Sequence, residues 1–171
     1  MRNNAGLLAL VCLVGCSSGY KSGVDGQKPV STLSMDEAQT ACTNLSVYFR
    51  DSYTEQDSIS FQCYLRALST TTDPTACQAD YNACIIDPPD VSRPTIDCTN
   101  AQVDSECNAT VSQVESCVTD YVNASLDRIH EVDCSVAGNI PELQRLQTPP
   151  PRSSSCSSID SICPNLPGAD G

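Results

Sequence analysis

Polar and apolar positions alternate along this chain with the period of a helix, and most of the helical stretches open on a recognisable start signal. Ser34-Met35-Asp36-Glu37 has the reciprocal pattern of a capping box, and Ala38, Ala41, Cys42, Leu45, Tyr48 and Phe49 then recur at spacings of three, four and seven. The spacing predicts a first amphipathic helix from Ser34. A polar turn over Asp51–Asp57 follows, and Ser58 is positioned to cap a second helix with Phe61, Tyr64, Leu65 and Leu68 on its face and Cys63 beside them. Asp73-Pro74 places an N-cap before a first-turn proline, so a third helix carries Cys77, Tyr81, Cys84 and Ile85 on one side. Asp87-Pro88-Pro89-Asp90 stops it, because proline lacks the amide hydrogen and clashes with the preceding turn.

From 87 to about 108 no period is visible, and the stretch reads as an irregular loop pinned by Cys98 and Cys107. Thr110 with Gln113 offers another capping box, and Val111, Val114, Val118, Tyr121, Val122, Ser125 and Ile129 trace one face of the longest helix, with Cys117 next to the stripe. Asn139-Ile140-Pro141-Glu142 starts a last short helix reaching about Leu146. No convincing period of two occurs anywhere. The expected fold class is therefore all-α, about five helices, with a mixed α and β arrangement as the lesser alternative.

The N-terminal end follows a different logic. Met1 to Asn4 is a short basic start, Ala5 to Val14 is an apolar or small run, and Gly15-Cys16 closes it, which is the plan of an export signal. The run is about half of the roughly 20 residues a membrane-spanning helix needs. At Leu13-Val14-Gly15-Cys16 the segment resembles a bacterial lipobox. The resemblance implies cleavage before Cys16 and acylation of its thiol, with Ser17 in place of Asp pointing to the outer membrane. Several acyl chains on Cys16 would anchor the protein to a membrane without a transmembrane span. The expected organisation is a signal peptide over 1 to 15, a lipid-anchored flexible tether over 16 to 33, a disulfide-linked helical domain over 34 to 147, and a Pro/Ser linker with a Cys156/Cys163 terminal loop over 148 to 171.

Composition narrows the chemistry. The 171 residues hold 21 acidic against 9 basic side chains, a formal net charge of −12, and the signal removes one basic residue and no acidic one. Such a surface is repelled by phosphate backbones and anionic headgroups, so nucleic-acid partners are not expected. Twelve cysteines are present. Cys12 leaves with the signal and Cys16 takes lipid, so Cys42, Cys63, Cys77, Cys84, Cys98, Cys107, Cys117, Cys134, Cys156 and Cys163 remain. An even set in an exported chain reads as a disulfide framework, although ten cysteines allow about 945 pairings and the sequence does not choose among them. Cys77 and Cys84 lie roughly 10 Å apart along one helix, too far to bond to each other, and should staple that helix to other segments.

Catalytic and metal patterns are not expected. The single His, His130, falls near the end of the longest helix, where a cation suits the dipole, and no Gly-x-Ser-x-Gly elbow accompanies it. There is no Cys-x-x-Cys for zinc or redox work. The Asp51, Tyr53, Glu55, Asp57 alternation fails as a calcium loop because Gln56 stands where Gly belongs and Gln62 where the bidentate Glu belongs. Three Asn-x-Ser/Thr sequons matter only in a eukaryotic secretory route. Asp87 and Asp90 read as turn residues.

Cys107-x-Ala109-Thr110-Val111, Val114-Glu115-x-Cys117 and the closing Cys156 to Cys163-Pro164 segment, together with the lipobox, resemble small Cys-rich lipoproteins of myxobacteria. The resemblance implies an envelope location and a stapled architecture, and it carries over no active site. The expected function is a lipid-anchored cell-envelope module, binding or structural, with no cofactor and an unknown protein or envelope partner. The alternative is an inhibitor or accessory subunit of a secreted or envelope enzyme, presenting 87 to 106 as an exposed loop.

Overall fold

The computed structural model describes residues 19–91, 96–99 and 101–163. Cys16 and the segment that resembles a lipobox lie outside the described residues. Six α-helices are present among them: α1 (Met35–Ser52), α2 (Glu55–Thr70), α3 (Pro74–Ile86), α4 (Val111–Glu131), α5 (Ile140–Gln147) and α6 (Ser154–Asp160), with single 3-10 turns at Val30–Thr32 and Cys134–Val136. No strand occurs among the described residues, where the one isolated bridge pairs Pro29 with Thr110. The fold is all-α and held by five disulfides.

The helices start where side chains can satisfy their first amides. Ser34 and Thr110 form the expected capping boxes with Glu37 and Gln113, Asp73 caps Ala76 ahead of Pro74, and Asn139 caps Glu142 ahead of Pro141. α2 begins earlier than Ser58. Thr54 and Asp57 cap each other reciprocally, so the stretch expected as a turn up to Asp57 already contains the first turn of the helix. Gly138 sits at φ +78°, where a side chain is strained, and a Cβ there would lie 3.0 Å from the Thr72 carbonyl oxygen.

Two small apolar cores result. In one, Ala67 and Leu68 of α2, Cys77 of α3, Val132, Cys134 and Leu146 of α5 are buried together, and Tyr64 stacks on Tyr81 with ring centroids 3.9 Å apart. In the other, Cys107, Ala109, Ile159 of α6 and Cys163 are buried against Val30, Val114 and Cys117.

The structure revises two boundaries. From Gly19 onward the segment assigned to a flexible tether is packed on the domain: Tyr20 is 4% exposed and Ser22 2%. Its carbonyls supply what the start of α4 lacks, since the Val111 amide donates to the Lys28 carbonyl at 3.0 Å and the Ser112 amide to Gly26 at 2.9 Å. The Val30 and Ser31 amides donate in turn to Ala109 and Cys107. The C-terminal segment expected as a linker and loop contains a sixth helix, α6, packed along α4. Cys156 and Cys163 do not close on each other; they bond to Cys117 and Cys107.

Candidate functional site

α1 stands apart from the other helices, with no helix packed closely along it among the described residues. What holds it is largely the N-terminal strap, residues 19–33. The Tyr20 hydroxyl donates to the Ala41 carbonyl at 2.7 Å, the Asn44 side-chain amide donates to the Ser22 carbonyl at 2.7 Å, and Lys28 Nζ reaches both carboxylate oxygens of Glu37. These Lys28 and Ser34 hydrogen bonds push Glu37 down to about 2. The Cys42–Cys98 bridge adds a covalent hold.

Because α1 is held at a distance, a cleft of about 230 Å³ remains between it and α4. One wall is Ala38, Ala41, Cys42 and Leu45 of α1; the facing wall is Val111, Val114 and Val118 of α4. The strap contributes Tyr20, Ser22, Val30 and Leu33, and the segment after α3 contributes Gln102, Val103, Asp104 and Cys107. The lining is mostly apolar with a few polar groups at fixed places, the usual make-up of a small-molecule site. A larger concavity of about 280 Å³ lies between α2 and α3, lined by Arg66, Thr70, Asp80 and Asp87. Its Asp80 carboxylate accepts from the Thr70 hydroxyl at 2.8 Å and its lining is largely polar, so the apolar α1–α4 cleft is the better candidate for recognition.

Glu115 is the residue that latches the strap beside this cleft. Only 7% exposed, its Oε1 accepts from the Ser22 amide at 2.7 Å and the Ser22 hydroxyl at 2.8 Å, and its Oε2 meets Lys21 Nζ at 3.3 Å. Burial alone would raise the carboxyl; the Ser22 and Lys21 hydrogen bonds outweigh it and hold Glu115 below the ordinary carboxylate value. Tyr20, in contrast, is pushed up to about 12 by burial and by the nearby Glu115 charge. Periodicity over hydrophobic residues passed Glu115 by, yet it lies four residues after Val111 and seven before Val122, both buried, so its position on the inner face was readable.

Because the folded-state value of Glu115 is depressed, its contribution to stability is complete above the ordinary carboxylate range and is lost as the pH falls through the folded-state value. Glu115→Gln keeps the shape and removes the titration. Chemical denaturation at pH 7 should find the variant less stable by about 1 to 3 kcal/mol, and the gap should shrink toward pH 3. A gap of constant size across that range would contradict the latch.

All ten expected bridging cysteines are paired: Cys42–Cys98, Cys63–Cys84, Cys77–Cys134, Cys107–Cys163 and Cys117–Cys156. As the spacing required, Cys77 and Cys84 staple α3 in two directions, to the 3-10 turn after α4 and to α2. His130 lies on the outer side of α4's last turn, where its Nε2 is 3.2 Å from Asp57 Oδ1, and it takes no part in the cleft. No group of three or more His, Cys, Asp or Glu is arranged to hold a metal among the described residues. No helix among them is long and apolar enough to cross a membrane. No protein-family model, curated protein or solved structure matches the chain.

Proposed function

We propose that this protein is a lipid-anchored envelope module, held at the outer membrane through acylated Cys16, that binds a ligand or partner on a rigid scaffold and catalyses no reaction. The observation that carries the reading is the cysteine accounting. Every cysteine after Cys16 is consumed in a disulfide, which suits a compartment where thiols oxidise and leaves Cys16 as the one thiol of the processed chain free to take lipid. The docked strap supports it as well. Gly19 rests against Thr119 at the middle of α4, and three residues reach at most about 11 Å, so an acyl group on Cys16 would hold the domain close to the bilayer.

The test is the intact mass of the full chain, expressed with its own signal in a bacterial host, before and after reduction and alkylation. The expected product begins at Cys16, carries the added mass of its acyl groups, and takes up alkylating reagent only after reduction. An unmodified Cys16 would overturn the anchor. Thiols that alkylate without reduction would overturn the oxidised scaffold.

A further inference from the structure

We propose that the cleft between α1 and α4 is a binding site for the alkyl chain of an uncharged lipid. Its walls are aliphatic where they face each other, chiefly Leu45 of α1 and Val111, Val114 and Val118 of α4. Its volume of about 230 Å³ exceeds the roughly 150 Å³ of a protein cavity that stays dry and accepts benzene, and is below the roughly 300 Å³ at which drug-sized sites begin. The space therefore suits a slender apolar group.

An alkyl chain fits better than a compact ring because the apolar face of α1 continues past Leu45 with Tyr48 and Phe49, three and four residues on. Tyr20, which walls it, meets the Tyr48 ring at a centroid distance of 5.6 Å; Phe49 lies 6.5 Å from Tyr48, and Tyr53 stacks on Phe49 at 5.9 Å. A chain leaving the cleft would find an aromatic row along α1. Charge decides the head group. Asp104 is in the lining and the chain as a whole is strongly acidic, so a fatty-acid carboxylate is repelled where an ester or a glyceride is not.

The inference deepens the anchored-module reading, on which it relies only for the supply of lipid. Tyr20 follows Cys16 by four residues and so lies within about 14 Å of it, which puts both the anchor's own acyl group and neighbouring membrane lipid in reach. Two forms of the chain separate these sources. One is the acylated protein; the other is exported behind an ordinary secretory signal with Cys16→Ser. Native mass spectrometry with monoolein and with oleate should give a 1:1 monoolein adduct on the unacylated form and at least tenfold weaker retention of oleate.

If the acylated form also takes up monoolein, membrane lipid is the occupant; if only the unacylated form does, the anchor's own chain fills the site. Ala41→Phe and, separately, Val118→Phe fill the cleft from opposite walls. Each should weaken monoolein retention at least tenfold while five disulfides and the helix signal are kept. Absence of an adduct on the unacylated form, or retention by both filled variants undiminished from that of the unfilled chain, would overturn the site. A chain that is never acylated but still binds monoolein would overturn the anchor and leave the site standing.

Discussion

Reduction should abolish the cooperative unfolding transition of this domain and most of its helical circular dichroism at neutral pH. The two cores are small, and each is built partly from cystine sulfur, so the apolar burial that stabilises an ordinary domain of this size is thin here. The bridges compensate by restricting the unfolded chain. Four of them join residues 39 to 57 positions apart and one joins residues 21 apart, for which the chain-entropy relation gives about 3 to 4 kcal/mol each. The five together exceed the roughly 5 to 15 kcal/mol by which domains are stable at all. A reduced, alkylated protein with unchanged ellipticity and an unchanged Tm would refute the account.

Among single bridges, Cys77–Cys134 should matter most. It interleaves in sequence with each of the other four. Without it, the Cys42–Cys98 loop, which contains Cys63–Cys84, and the Cys107–Cys163 loop, which contains Cys117–Cys156, would be joined covalently only through the backbone between 98 and 107. Both of its cysteines are also part of the core formed by Leu68, Val132 and Leu146. The paired substitution Cys77→Ala with Cys134→Ala should cost about 4 kcal/mol and lower Tm by about 8 to 16 °C. Cys63→Ala with Cys84→Ala, which opens a loop of only 21 positions, should lower Tm by less. Equal or reversed losses in a thermal scan of the two variants would remove the special role of the crossing bridge.

What was legible in the sequence is what local rules govern. The starts of α1, α3, α4 and α5 are set by Ser34, Asp73, Thr110 and Asn139 acting on amides three residues away, and these are short-range facts. α2 was placed late because Thr54-x-x-Asp57 is a weaker pattern than the polar run that contains it. The strap escaped altogether. Its contacts are mostly backbone amides and carbonyls meeting the start of α4 and a few side chains meeting α1, and neither produces a periodic signal.

α6 escaped for a related reason: seven residues rich in Ser have little helical tendency of their own, and packing on α4 with the Cys117–Cys156 bond holds them. The cleft is a consequence of the strap, and α6 contributes nothing to its lining. It exists only where a helix is held away from its neighbour by a segment that looked unstructured. The ten bridging cysteines were identifiable by counting, whereas their pairing depends on how distant segments dock.

The connectivity also bears on how the chain is made. A polypeptide emerges N-terminus first, and an oxidase that joined these cysteines in order of arrival would link Cys42 to Cys63, Cys77 to Cys84, Cys98 to Cys107, Cys117 to Cys134 and Cys156 to Cys163. Not one of those pairs is native. Cys107 and Cys117 have to wait for partners that arrive 56 and 39 residues later. Maturation therefore calls either for oxidation that lags behind emergence of the chain or for an isomerase that reshuffles early bonds, and a host lacking both would accumulate scrambled protein however well each helix forms.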